Sequence, residues 1–333
     1  MIPVLVVAAA ATGLASLLMV RLLISYAQAR GVLDIPNERS SHSRPTARGG
    51  GLAIVACVLA VVAGLGLRGE LPGPLGLLLL AGGGAVALVG WLDDRHGLAV
   101  PVRLLVHLAA CAGAAALLWP GPATGLALLV TTVALAWLLN LYNFMDGIDG
   151  LAGVQAVSMA AGTALLLAVA NSGDPALPGL LLVCVVTAAS AAGFLAWNWP
   201  PAAIFLGDAG SGFLGFLFGV LALASLDAGV SPWAWLILPG VFVVDATATL
   251  LRRLLRGERV SEGHRSHAYQ RLARHWGGHR PVTLAAVAVN LFWLLPMALA
   301  AQLWPVNAVP LLVLAWLPLL AAWAWGSWRL PSH

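Results

Sequence analysis

Charge is what this sequence has least of. Only 9% of its 333 residues are Asp, Glu, Lys or Arg, where a soluble domain carries roughly 25%. Thirteen acids and seventeen bases cannot clothe a water-soluble globule of this size, so a soluble enzyme is excluded. Disorder is excluded too, because 61% of the residues are hydrophobic. There is no lysine, and every basic side chain other than histidine is arginine. The planar guanidinium suits phosphate, but a GC-rich genome produces the same bias, as the abundant Ala, Gly, Leu and Val indicate. Cysteine is scarce as well. Cys57, Cys111 and Cys184 sit inside apolar runs without paired spacing, which points to small core side chains rather than a disulfide framework. No small-residue cleavage site ends the first apolar run near Tyr26, so that run reads as a retained span rather than a signal peptide.

What the chain has is apolar length. Crossing a hydrocarbon core of about 30 Å takes roughly 20 helical residues. Eleven runs qualify: 2–26, 51–67, 75–92, 100–119, 123–142, 151–170, 179–197, 212–226, 232–251, 282–302 and 306–328, with 212–226 the weakest. The expectation is a single, all-α, polytopic membrane domain over 1–333. The fourteen tryptophans, such as Trp119, Trp233 and Trp304, read mainly as interfacial belts. Arginine gathers in alternate connections: Arg30, Arg39, Arg44 and Arg48 after the first run, and eight arginines from Arg252 to Arg280 after the ninth. The remaining connections hold only Arg68 among them. By the positive-inside rule the arginine-rich set is cytoplasmic, giving eleven spans with the N-terminus out and the C-terminus in. The cytoplasmic loops are then about 27–50, 93–99, 143–150, 198–211 and 252–281.

Four polar clusters fall at cytoplasmic span ends. Asp93 and Asp94 are adjacent carboxylates, each raising the pKa of the other unless a cation or shared proton intervenes; a solvated helix end is the alternative. Asn140, Asn143, Asp146 and Asp149 recur at intervals of three, a spacing that places side chains on one helix face. Gly147 and Gly150 would let a ligand come close. Asp208, in Phe205-Leu-Gly-Asp-Ala-Gly-Ser211 with Asn198 upstream, is read as a phosphate-binding helix start, a magnesium ligand or a plain N-cap. His264, Arg265 and His267 lie in the long basic loop. The histidine pair lacks a third local zinc ligand and more naturally meets a diphosphate. Asp245, a lone acid near the same face, has Arg252 and Arg253 as candidate partners.

Together these groups suit phosphoryl transfer, which needs mainly positioning and charge neutralisation. A soluble phosphorylated donor would approach from the cytoplasm and an acceptor would wait in the bilayer. A multi-pass transporter is the rival; it predicts ionisable residues near the midplane and internal repeats, and neither is found. No nucleic-acid partner is expected.

The ordered motifs Asp93-Asp94, Asn140-x-x-Asn143-Phe-x-Asp146-Gly-x-Asp149-Gly, Phe205-Leu-Gly-Asp208-Ala-Gly-Ser211 and His264-x-x-His267 resemble those of the polyprenyl-phosphate N-acetylhexosamine-1-phosphate transferases, the MraY/WecA-like membrane enzymes. The resemblance implies transfer of HexNAc-1-phosphate from a UDP-HexNAc to undecaprenyl phosphate, releasing UMP, in the bacterial inner membrane. It implies Mg²⁺, with Mn²⁺ able to substitute, and allows a homodimer. By motif, Asp208 matches the metal ligand, with Asp93 and Asp94 beside it, and Asp93 the acid that deprotonates or orients the lipid phosphate. Asn143, Asp146 and Asp149 match the nucleotide-side motif that begins at Asn140. Asn198 and Phe205 match the uridine pocket, with Phe205 stacking on uracil. His264 and His267, with Arg265 between them, match the histidine loop near the phosphates and sugar.

Departures narrow the branch. The phospho-N-acetylmuramoyl-pentapeptide transferases of peptidoglycan synthesis have a run of adjacent histidines, where this chain has His264-Arg-Ser-His267. Its first loop, containing Arg44-Pro-Thr-Ala-Arg48-Gly-Gly-Gly, is similar to the branch that initiates O-antigen and other surface polysaccharides. Arg44 and Arg48 are phosphate-side candidates there, and Arg103 fills the basic position that follows the Asp pair. A donor carrying GlcNAc, GalNAc, FucNAc or QuiNAc is expected, and the peptidoglycan enzyme is the alternative.

Overall fold

The computed structural model describes residues 1–36, 44–122, 124–170, 172–258 and 265–330. Among them, nine helices are long and apolar enough to cross a membrane: α1 (Ile2–Arg30), α3 (Gly73–His96), α4 (Val100–Leu118), α5 (Gly125–Phe144), α6 (Leu151–Ala170), α7 (Leu177–Asn198), α8 (Asp208–Asp227), α12 (His279–Leu303) and α13 (Pro305–Arg329). The run 51–67 is a shorter apolar helix, α2 (Gly51–Leu67). The run 232–251 is two pieces, α9 (Pro232–Ile237) and α10 (Gly240–Leu255). A small helix, α11 (Ala268–His275), lies in the basic loop. The protein is an all-α polytopic membrane protein.

Local signals set the helix ends. Proline in the first turn opens α4, α7 and α9, where its missing N–H costs nothing. Gly31 and Gly97 close α1 and α3 in the left-handed conformation, at φ 67° and 63°.

Helix α8 is the centre. Its most apolar stretch is 83% buried inside the protein, against 6% for α1 and 11% for α13, so the last two are left to face lipid. Apolar packing gives no water-driven preference between helices in a bilayer, and close backbone approach through small residues takes over. A Cβ on Gly90 of α3 would lie 2.5 Å from the Asp208 carbonyl oxygen, and one on Gly51 of α2 would lie 2.9 Å from the Leu206 carbonyl oxygen. These contacts bring α2 and α3 against the first turn of α8.

The break between α9 and α10 is satisfied internally, as any interrupted helix in hydrocarbon must be. Gln155 Nε2 donates to the Leu238 carbonyl at 3.3 Å, and Asn290 Nδ2 donates to Gln155 Oε1 at 2.9 Å.

One feature lies outside the all-helical expectation. Leu33–Asp34 (β1) pairs antiparallel with Thr46–Arg48 (β2), which pairs parallel with Ile204–Phe205 (β3). The ladder continues as Gly50 N–H to the Phe205 carbonyl and Gly51 N–H to the Leu206 carbonyl, both 2.9 Å. This clip fastens the segment before α2 to the segment before α8 and sets Arg48 opposite Phe205.

Gly90→Leu is expected to force α3 away from α8 and destabilise the protein by about 1–3 kcal/mol. Thermal unfolding in detergent checks this; an unchanged midpoint would contradict the close-packing account.

Candidate functional site

The first turn of α8 collects side chains from five segments. Asp94, at the end of α3, accepts from the Asp208 N–H at 3.1 Å and from the Ala209 N–H at 3.4 Å. A carboxylate there satisfies amides that the helix cannot and sits at the positive end of its dipole. Gly207 precedes them at φ 79°, and a Cβ on it would stand 2.6 Å from Asp94 Oδ2. Glycine is needed both for that backbone angle and for that contact.

Two arginines bridge the acids. Arg48 places Nε 2.8 Å from Asp94 Oδ1 and Nη2 3.2 Å from Asp208 Oδ1. Arg103, in the first turn of α4, pairs with Asp93 and approaches Asp208 Oδ2 at 3.6 Å. Asp93 also accepts from the Leu98 N–H at 2.6 Å. Asn143, at the end of α5, donates to Asp208 Oδ1 at 3.1 Å and to Ser211 Oγ at 3.0 Å. Burial disfavours the charge of Arg48, but Asp94 and Asp208 outweigh it and raise its pKa. Asp146, in the turn after α5, is pushed well above the ordinary carboxylate range by burial first, then by Asp208, Asp94 and Asp149 acting against Arg48. Three carboxylates and two guanidiniums thus share one end of the bundle, with a fourth acid beside them that resists ionisation.

The Asn/Asp series is not one helix face. Helix α5 ends at Phe144, and the chain turns before the two aspartates. Asn140 donates back to the Ala136 carbonyl of its own helix at 2.7 Å. Asp149 points into a neighbouring network instead. Its Oδ2 accepts from the Ala202 N–H at 3.1 Å and lies 3.2 Å from His279 Nδ1, and its carbonyl accepts from Thr283 at 2.8 Å. Asn198 Oδ1 accepts from the Gly150 N–H at 2.9 Å while its Nδ2 donates to the Ile204 carbonyl at 2.8 Å. Asp149 and Asn198 therefore brace the 145–150 turn against the start of α12 and against β3. Phe205 is half-buried on β3.

The basic loop has its own anchor. Asp245, buried on α10, does not pair with Arg252 or Arg253; Arg252 donates to the Ser327 carbonyl at 3.0 Å and Arg253 Nε to Glu258 at 2.8 Å. Asp245 accepts from the Ala268 and Tyr269 N–H groups at 3.0 and 2.8 Å and from Thr249 at 3.0 Å, and lies 3.3 Å from His267 Nδ1. It caps α11 from outside, as Asp94 caps α8. His267 is only 3% exposed and stacks on Tyr269 with ring centroids 5.6 Å apart. The Tyr269 hydroxyl reaches the Phe144 carbonyl at 3.0 Å, so α11 is held against the 145–150 turn, where Gly147 leaves it room. Arg265 is half-buried at the edge of the same loop, and Arg44 is exposed just before β2. His264 lies outside the described residues.

The family described as Glycosyl transferase family 4 matches residues 76–226, the stretch from α3 through α8 that carries Asp93, Asp94, Arg103, Asn143, Asp146, Asp149, Asn198 and Asp208. The chain carries a glycosyl transferase family 4 domain. Arg48 joins its acids from outside that stretch. Similar proteins include a Bacillus subtilis protein named as an undecaprenyl-phosphate N-acetylglucosaminyl 1-phosphate transferase, 29% identical over 79% of this chain and 75% of its own length. A Streptomyces coelicolor glycosyltransferase is 39% identical over 81% of this chain. A phospho-N-acetylmuramoyl-pentapeptide-transferase of Synechococcus is 32% identical over 68% of it. The matched region spans 64% and 58% of the last two relatives.

Sequence reasoning missed His279 and undervalued Asp245. His279 follows two glycines without any spacing signal, and Asp245 makes its α11 contacts with residues more than twenty positions away.

Asp245→Ala leaves two buried α11 amides and a histidine without their acceptor, and is expected to cost about 1–3 kcal/mol. It should also open the basic loop to protease. Limited proteolysis read by mass spectrometry checks this; cleavage unchanged around α11 would contradict the anchoring role.

Proposed function

We propose that the protein transfers a HexNAc-1-phosphate group from a UDP-HexNAc to undecaprenyl phosphate in the bacterial inner membrane, giving undecaprenyl-diphosphate-HexNAc and UMP. The observation that carries this reading is the convergence of Asp93, Asp94, Asp208, Arg48, Arg103 and Asn143 on the first turn of one central membrane helix. The relatives named for polyprenyl-phosphate and sugar-phosphate chemistry support it.

In the reaction, an oxygen of the lipid phosphate forms a bond to the sugar-bearing phosphorus as the bond from that phosphorus to the UMP oxygen breaks. The lipid phosphate is already largely anionic at neutral pH, so the chain's main task is to hold anions together in line. Arg48 and Arg103, each already spanning two carboxylates, supply fixed positive charge for phosphate oxygens. Asp94 positions Arg48 and the α8 terminus. Asp93 holds Arg103 and is the acid that would orient the acceptor. Asn143 fixes the Asp208 carboxylate, and His267 braces α11 against the turn that carries Asp146.

The oxygen donors of Asp208, Asp93 and Asn143 suit Mg²⁺, which takes hard ligands and needs only one or two protein carboxylates beside substrate phosphate. Asp208 would be the leading ligand in that mode. Bound there, Mg²⁺ would neutralise the donor diphosphate and the charge developing on UMP. First-loop similarity favours a surface-polysaccharide initiating role, with O-antigen as one such product.

Purified protein given undecaprenyl phosphate, Mg²⁺ and a panel of UDP-sugars, including UDP-GlcNAc and UDP-N-acetylmuramoyl-pentapeptide, should release UMP with a HexNAc donor. Chelating the cation should stop it, and Asp208→Asn should lower turnover by about 100-fold or more. UMP from no donor sinks the proposal; UMP from the pentapeptide donor alone moves the protein to the peptidoglycan reaction.

A further inference from the structure

Two residues one turn apart on α12 close on the 145–150 turn. His279 Nδ1 stands 3.2 Å from both the Asp149 N–H and Asp149 Oδ2, and the Thr283 hydroxyl donates to the Asp149 carbonyl at 2.8 Å. The Ala202 N–H donates to Oδ2 at 3.1 Å, so the amide, the carbonyl and the carboxylate of Asp149 are each engaged by another segment. A neutral Nδ1 accepts from the amide and a protonated one donates to the carboxylate, so His279 grips Asp149 in either state. Thr283 is fully buried. Gly150 lets the two segments close: at φ 77°, a Cβ on it would lie 3.0 Å from Thr283 Cγ2 and 3.1 Å from Pro200 Cδ.

The gripped residue lies between two segments of the site. On one side is Asp146, where the charges that act after burial are those of Asp208, Arg48, Asp94 and Asp149. On the other, the Gly150 N–H donates to Asn198 Oδ1 at 2.9 Å and Asn198 Nδ2 to the Ile204 carbonyl at 2.8 Å, at the strand that pairs with β2 and Arg48. Both segments are connections at the arginine-rich end of the bundle, where a water-soluble donor arrives. Asp93 and Arg103, by contrast, pair between α3 and α4 and, on the transferase reading, serve the lipid acceptor.

We infer, building on that reading, that His279 is a positioning residue for the nucleotide-sugar donor, with Thr283 as its second. It acts through Asp149, setting the 145–150 turn and the 198–204 segment at the spacing the donor needs. Without it, Asn198 and Thr283 still hold the turn, but the Asp149 carboxylate loses its fixed place. Donor binding then weakens, while the acceptor side and the bond-making step are spared.

The test reads full-length variants in detergent in two ways. Calorimetry with UDP and Mg²⁺, which needs no turnover, should show His279→Leu weakening binding by roughly tenfold. His279→Asn, whose amide offers both an acceptor and a donor, should recover most of that loss. In UMP-release kinetics, His279→Leu should raise the donor KM by a similar factor and leave kcat and the KM for undecaprenyl phosphate unchanged. A merely structural role predicts equal losses against both substrates and no recovery in His279→Asn. That result, or UDP binding unchanged in His279→Leu, overturns the assignment, as does a wild type that binds no UDP. UDP binding in the expected order without UMP release by the wild type sinks the transferase reading and leaves the role of His279 standing.

Discussion

The structure turns on one carboxylate at one helix terminus. Asp94 takes the first amides of α8 and holds Arg48 at 2.8 Å. Burying three acids in one place would be prohibitive without compensating charge. Here the compensation comes from Arg48 and Arg103 and from the dipole of the most buried helix in the bundle. The close approach at Gly90 and the β2–β3 clip bring the partners within reach. The architecture of the helix ends and the chemistry of the site are therefore the same arrangement.

The device is used twice. Asp245 caps α11 from α10 as Asp94 caps α8 from α3, and each carboxylate also fixes a basic side chain, His267 in one case and Arg48 in the other. The two halves meet at the 145–150 turn. Asp146 faces the acid cluster, Asp149 and Gly150 are tied to His279 and Asn198, and Tyr269 reaches the end of α5.

Much of this was legible in the sequence. The apolar runs each coincide with a helix or helix pair, and the acids, read as gathering at one end, do so. The run 212–226, judged weakest, belongs to a 20-residue helix starting at Asp208; its polar first turn disguised its length because that turn is the site. The three-residue spacing from Asn140 to Asp149 misled for a physical reason. Periodicity assumes that a helix continues, and Met145 to Gly150 is a turn. The short strands were invisible because two- and three-residue pairings leave no pattern. His279 escaped, and Asp245 was noticed but given the wrong partners, because its α11 contacts are distant in sequence.

The most direct test of this account is a double-mutant cycle on Arg48 and Asp94. Unfolding free energies in detergent would be measured for Arg48→Gln, Asp94→Asn and the pair. Side chains that depend on each other should give a coupling of about 1 kcal/mol or more, with the double variant less destabilised than the two single changes added together. Strict additivity would contradict the claim that this pair organises the α8 terminus.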